Sequence, residues 1–267
     1  KQIRKMNKSI LICVLLFFTT IVQAQTKVIA HRGFSGVAPE NTLAAFQKAI
    51  DHQFEYYELD IHKTKDDSLV VIHDASVNRT SSNGMKGKIA EMTYEELSKV
   101  RVGYSDKFGD QFKEEKVPTL REALAMSKGK IKVCVEIKVN GVEQEMMDII
   151  NDLEMKNEVI IFSFYYQALE KVRALDKDIP ILFLVGSANE RSIDSAKAIN
   201  AQAIGAGGGN PITKDYIDKA HKSGIEVWRW TVDDAKTMGE LIEVGVDGII
   251  SNFPDRIAKL PGGKIKR

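Results

Sequence analysis

The rhythm of apolar positions changes along this chain. From residue 118 onwards, short apolar runs alternate with segments whose apolar residues recur every three or four positions. Runs at 131–137, 159–164, 179–185, 203–206, 225–232 and 247–251 read as strands. Between them, Val142, Met146, Ile149, Ile150 and Leu153 share one helical face. The same spacing recurs through Leu169, Val172 and Leu175, through Ile193, Ala196 and Ile199, through Tyr216, Ile217 and Ala220, and through Met238, Leu241 and Ile242. Residues 119–126 read as a further helix, Gly224 as a helix stop, and Pro254 as the start of a last helical turn.

Upstream, 28–33 is a short apolar strand ending in His31-Arg32-Gly33. Asn41 or Thr42 caps a helix carried by Leu43, Phe46 and Ile50, and a cap is the role expected of Asn41. Strands near residues 29, 58, 134, 161, 182, 204, 228 and 249 give eight βα units. Near-continuous apolar strands argue for a parallel sheet covered on both faces. Eight units argue for an α/β fold of the closed (β/α)8 TIM-barrel type, with an open doubly wound sheet as the alternative.

The run Glu58-Leu59-Asp60-Ile61-His62, followed by Leu69-Val70-Val71-Ile72-His73-Asp74, breaks the βα rhythm. Lys65-Asp66-Asp67-Ser68 is a turn too short for a parallel crossover, so these two strands pair antiparallel. A turn centred on Asp66-Asp67 sets Asp60 opposite His73. Glu58, Asp60 and His62 share one face by the period of two. Residues 75–117 follow as a mostly polar insertion over one end of the domain, with a short helix begun by the capping box Thr93-Tyr94-Glu95-Glu96.

The N-terminus has the form of a targeting segment. Lys1, Arg4, Lys5 and Lys8 precede an apolar run from Ser9 to Val22, and Val22-Gln23-Ala24 suits cleavage before Gln25. Cleavage of this signal peptide, residues 1–24, implies a secreted or periplasmic chain with no stable membrane span; an uncleaved anchor is the alternative. It turns a formal charge of +1 into −3, which does not suit a nucleic-acid partner. One cysteine, Cys134, is left in an apolar strand, so no internal disulfide forms.

In a closed barrel the C-terminal strand ends carry the chemistry. His31, Arg32, Glu58, Asp60, Glu136, Lys138, Ser163, Trp230 and Asn252 gather there. Glu58, Asp60 and Glu136 are three hard oxygen donors that repel one another unless a cation intervenes. No Cys or His set has zinc-like spacing, so one calcium or magnesium ion is expected. His31 and His73 are the acid–base candidates, while His52 and His221 fall on helices and should be exposed. Arg32 and Lys138 can neutralise phosphoryl charge or pair with the same carboxylates. Trp228 and Trp230 share one face; Trp230, nearer the strand end, is the candidate substrate wall. Gly205-Ala206-Gly207-Gly208-Gly209 lacks the spacing of a phosphate loop.

Two histidines, three carboxylates and two cations suit phosphodiester cleavage. The motifs His31-Arg32-Gly33, Pro39-Glu40-Asn41-Thr42, Glu58-Leu59-Asp60, Val71-Ile72-His73-Asp74, Arg79-Thr80 and Pro118-Thr119-Leu120 occur in that order. They continue with Glu136-Ile137-Lys138, Ser163-Phe164, Trp230-Thr231-Val232 and Asn252-Phe253-Pro254. The set resembles the glycerophosphodiester phosphodiesterase family. The resemblance implies a TIM barrel with a small insertion and hydrolysis of a small-molecule glycerophosphodiester to glycerol 3-phosphate and an alcohol. It also implies His31 and His73 as the acid–base pair, Glu58, Asp60 and Glu136 around one divalent metal, and Arg32 and Lys138 on the phosphate. Cleavage of lysophospholipids or phospholipids on the same barrel, and non-catalytic phosphodiester binding, are the competing readings. A glycosidase would leave the histidines and cations without a role.

Overall fold

The computed structural model describes residues 25–260, so the expected signal peptide lies outside the described residues. Strands β1 (Lys27–Ala30), β2 (Tyr56–Lys63), β3 (Leu69–Val71), β4 (Lys132–Ile137), β5 (Val159–Ser163), β6 (Ile181–Val185), β7 (Ala203–Ala206), β8 (Glu226–Arg229) and β9 (Gly248–Ser251) form one sheet. All but β3 are parallel, and β1 pairs with both β9 and β2, which closes the barrel. Helices α1 (Leu43–Asp51), α2 (Tyr94–Leu97), α3 (Ser105–Phe108), α4 (Leu120–Ser127), α5 (Glu143–Asp152), α6 (Tyr166–Leu175), α7 (Glu190–Ala198), α8 (Lys214–Lys222) and α9 (Ala235–Val244) lie between them. No helix among the described residues is long and apolar enough to cross a membrane.

Alternation along each strand divides the core in two. Ile29, Tyr56, Cys134, Phe162, Leu182, Trp228 and Ile250 fill the barrel. Tyr57, Leu59, Val133, Val135, Ile161, Val227 and Ile249 face outward into the helical layer. With both faces buried the strands need apolar residues at every position, which is why they read as continuous runs. The helices begin where side chains satisfy their free N–H groups: Thr42 accepts from Ala45 N, and Thr93 and Thr119 form complete capping boxes.

The hairpin register differs from expectation. Ile61 pairs with Val71, His62 with Val70 and Lys63 with Leu69. Ile72, not His73, faces Asp60, through the bond Ile72 N to Asp60 O of 3.0 Å. The connection holds an odd number of residues because Thr64 organises it. Thr64 N donates to Ser68 O, Ser68 N donates to Thr64 Oγ1, and Thr64 Oγ1 donates to Asp66. The turn thus centres on Asp66 and not between Asp66 and Asp67, which moves the pairing by one residue. Strand β3 ends at Val71, so His73 is set by the loop beyond it.

Between β3 and α4 the chain adds no strand to the barrel. It folds instead around its own apolar knot of Val77, Ile89, Met92, Leu97, Val100, Val102 and Val117 against Val70 and Ile72. The polar appearance of residues 75–117 hides this knot, because its apolar residues follow neither period.

Candidate active site

The carboxylates converge through strand register. Asp60 on β2 lies directly beside Glu136 on β4, and Glu58 is one repeat earlier on the same face. Glu58, Asp60 and Glu136 are all buried, and each offers an oxygen within 4.8 Å of the others. Glu58 Oε1 and Asp60 Oδ1 have no hydrogen-bond partner. Burial, then Asp60, drives the Glu58 carboxyl well above the usual carboxylate range. Burial and Asp60 also push Glu136 up, to about 7, against the pull of Lys138. Burial would raise Asp60 too, but Arg32 and Lys138 outweigh it and hold that group low. Unpartnered buried anionic oxygens are costly, and an oxygen-only donor set of this size fits a hard divalent cation.

The strand ends then supply the groups around this cluster. After β1 the chain turns sharply through Arg32, at φ 54°, and Gly33, at φ 76°. A side chain at Gly33 would meet Ala45 Cβ at 2.7 Å, so only glycine fits. The turn lets Arg32 N donate to Glu58 Oε2 at 2.9 Å and brings Arg32 Nε to 3.4 Å from Asp60 Oδ2. From the residue just after β4, Lys138 Nζ reaches Glu136 Oε1 at 2.8 Å, Asp60 Oδ1 at 3.6 Å and His73 Nε2 at 3.2 Å. Both cations therefore pair with the carboxylates while still lining the cleft.

The two histidines face that cleft from different supports. His31 Nδ1 bonds to Asn252 Oδ1 at 2.8 Å, and its Nε2 stands 4.0 Å from Glu58 Oε2. Burial, with Arg32, lowers its pKa to about 4. His73 Nδ1 bonds to Asp74 Oδ1 at 2.8 Å, and His62 Nε2 donates to His73 O at 3.0 Å. His62 thus supports the His73 backbone from outside the cleft. His52 and His221, which bonds to Asp247, lie away from it.

Trp230 lies just beyond β8, whose ladder ends at Arg229, earlier than the apolar run predicts. Its Nε1 donates to Gly205 O, and its ring lies so close over Gly207 that a side chain there would meet it at 2.8 Å. The glycine run on β7 is thus the seat of an indole. Phe164 meets Trp230 edge-on at 5.4 Å between ring centres, and both line the cleft. Trp228 is core.

The sequence gives no role in the site to three of its supports. Asn41 does not cap α1. It donates from Nδ2 to Asp60 Oδ2 at 2.8 Å and accepts from Asp60 N at 3.2 Å, so it holds the Asp60 carboxylate. Glu40 pairs with Arg32 at 2.9 Å and with Arg79 at 2.7 Å. Arg79 in turn reaches Asp74 Oδ2 at 2.7 Å. Asp74 beside His73 was a visible signal; nothing in the spacing connects Glu40 with Arg79.

The chain as a whole has known relatives. A model of the glycerophosphoryl diester phosphodiesterase family matches residues 31–256. The chain belongs to that family. It is 35% identical over 242 residues to a glycerophosphodiester phosphodiesterase of Caldanaerobacter subterraneus subsp. tengcongensis, covering 88% of this chain and 98% of the relative. It is 31% identical over 247 residues to one of Bacillus altitudinis, covering 88% of this chain and 98% of that one. Among solved structures, a phosphodiesterase of Oleispira antarctica in complex with sn-glycerol-3-phosphate superposes with a TM-score of 0.78 at 26% identity, covering 87% and 95% of the two chains. The protein is an enzyme of this phosphodiesterase family, built on its TIM barrel.

Proposed function

We propose that the protein hydrolyses glycerophosphodiesters to glycerol 3-phosphate and an alcohol, with His31 and His73 as the acid–base pair. One observation carries the reading: both imidazoles border a cleft lined also by Arg32, Lys138, Glu58 and Glu136, with Asp60 converging on the two glutamates. Glu58, Asp60 and Glu136 would hold one divalent ion, calcium or magnesium by the oxygen-only donor set. When bound, that ion supplies positive charge against the phosphoryl oxygens and acidifies a substrate hydroxyl.

The chain's own groups do the rest. Arg32 and Lys138 bind the phosphoryl oxygens. A glycerophosphodiester carries a hydroxyl on the carbon next to its ester oxygen, and attack from there gains the advantage of proximity. His31, kept neutral by burial, removes that proton from its Nε2 side. The hydroxyl oxygen bonds to phosphorus, the bond to the leaving alcohol breaks, and His73 protonates the departing oxygen. Lys138, once turned to the phosphate, leaves His73 Nε2 free to carry this proton, with Asp74 stabilising the imidazolium. Water then opens the cyclic glycerol phosphate with the histidine roles reversed.

No residue of 75–117 is among the large exposed hydrophobics of the described residues, which supports a soluble head group over a lipid tail. The basic and apolar start of the chain supports export to a periplasmic or extracellular compartment. The deciding experiment is glycerol 3-phosphate release from a panel of glycerophosphodiesters with calcium, with magnesium and with chelator. Release that stops in chelator and returns with added ion is expected; full activity in chelator refutes the metal. Replacing the adjacent hydroxyl by hydrogen should leave binding and abolish turnover, and cleavage at the parent rate refutes the cyclic route.

A further inference from the structure

His31 has two ring nitrogens, and only one tautomer can take a proton from substrate. We propose that Asp233 selects that tautomer, acting through the amide of Asn252; the inference rests on His31 being the base.

The argument is one of donors and acceptors. Asp233 follows β8 and lies in none of the helices or strands. Its Oδ2 accepts from Asn252 Nδ2 at 2.7 Å. Its Oδ1 accepts from Asn252 N at 2.8 Å and from Ser251 Oγ at 3.0 Å. A carboxylate only accepts, so the NH2 end of the Asn252 amide must face Asp233. The oxygen end is thereby turned to the opposite side, where Ser35 Oγ donates to it at 2.8 Å and His31 Nδ1 lies at 2.8 Å. An amide oxygen also only accepts, so His31 carries its proton on Nδ1. Nε2, the nitrogen on the Glu58 side, is left with its lone pair. Asp233 touches neither His31 nor the reacting atoms. It is a positioning residue, and Arg256 fixes its backbone by donating to Asp233 O.

Replacing Asp233 by asparagine disturbs this logic with almost no change of shape. If the new amide keeps its oxygen toward Asn252 N and Ser251, its NH2 meets the NH2 of Asn252. Asn252 then turns over, presents NH2 to His31 Nδ1, and forces the proton onto Nε2, which can no longer act as base.

The test is Asp233→Asn with the exchange Asp233→Asn plus Asn252→Asp. The single variant should lose about 10²–10⁴-fold in kcat, the range for one acid–base group, with KM little changed. The side-chain 15N resonances of His31 should exchange their protonated and unprotonated positions. In the double variant the residue at 233 can donate to a carboxylate at 252, which again accepts from His31 Nδ1. It should recover most of the lost kcat and the original 15N pattern. Wild-type kcat and an unchanged 15N pattern in Asp233→Asn would overturn the inference, as would a double variant no better than the single one. Should the single variant fail to fold, a folded and active double variant with the Nδ1–H pattern still supports the proposal, and a folded, inactive one overturns it. His31→Ala separates the two readings: if it turns over normally, the assignment of His31 as base fails first.

Discussion

The two histidines sit across one cleft in opposite surroundings. His31 belongs to the barrel, between β1 and β9, with its side chain 17% exposed and a neutral amide behind it. His73 belongs to the loop after β3, with its side chain 32% exposed and a carboxylate behind it. Burial and Arg32 make an imidazolium at His31 expensive. At His73 the Asp74 carboxylate offsets such a charge and is itself held anionic, most of all by its bond to Arg79. One residue type is thus held neutral on one wall and backed by an anion on the other.

Leaving-group chemistry tests this asymmetry with the largest effect. On an alkyl glycerophosphodiester, His31→Ala and His73→Ala should each lower kcat by about 10²–10⁴-fold. On an ester of p-nitrophenol, whose anion leaves without a proton, His73→Ala should regain most of its loss and His31→Ala almost none. Equal recovery in both variants would erase the distinction between the walls.

The support behind His73 gives the next effect. Asp74→Asn removes a charge-assisted bond from a cationic imidazole, a contribution of ~1.5–3 kcal/mol, or about 10–100-fold in kcat. Asn252→Ala should be nearly as damaging for His31 with a deficit insensitive to added salt, whereas the deficit of Asp74→Asn should shrink as salt screens the charge interaction that the wild type has. Steady-state rates at two ionic strengths distinguish them.

The carboxylates set the pH response. Glu136 is raised to about 7 and Glu58 well above its usual range, so both carry protons in the absence of a cation at mildly acidic pH. A cation must displace those protons. Its affinity should therefore fall as pH drops through about 7, by up to about tenfold per unit for each proton released. Titration calorimetry in two buffers of different ionisation heat counts the protons. Affinity independent of pH between 6 and 8 would contradict the raised carboxyls.

Much of this is legible in the sequence. The barrel follows from runs of strand residues that are apolar at successive positions, as burial on both faces requires. The carboxylate cluster follows from period-two placement of Glu58 and Asp60 along β2. The hairpin register lies one residue from the expected pairing because Thr64, through its side-chain bonds, counts as part of the turn. Asparagine before an apolar helical face usually caps it, but of the two expected residues Thr42 is the cap, and the positive φ of 57° and the bonds to Asp60 at Asn41 arise from tertiary packing. The chain Arg32–Glu40–Arg79–Asp74 joins residues far apart in sequence, and only the folded loop brings them together.

The smallest effect is predicted for the histidine that makes the same kind of bond away from the cleft. His221 Nε2 bonds to Asp247 Oδ2 at 2.8 Å, much as His73 bonds to Asp74. Asp247 precedes β9, and its Oδ2 also accepts from Val227 N at 2.7 Å, so it serves the entry side of the barrel rather than the strand ends that carry the site. The His221 side chain is 43% exposed, and an exposed pair of this kind contributes only ~0–1 kcal/mol. His221→Ala should leave kcat and KM at wild-type values and shift the denaturation free energy by no more than that amount. If it lowered kcat like His73→Ala while remaining folded, a histidine–carboxylate pair would matter wherever it occurs in the barrel. The contrast between the two cleft walls would then reflect general stability and not chemistry.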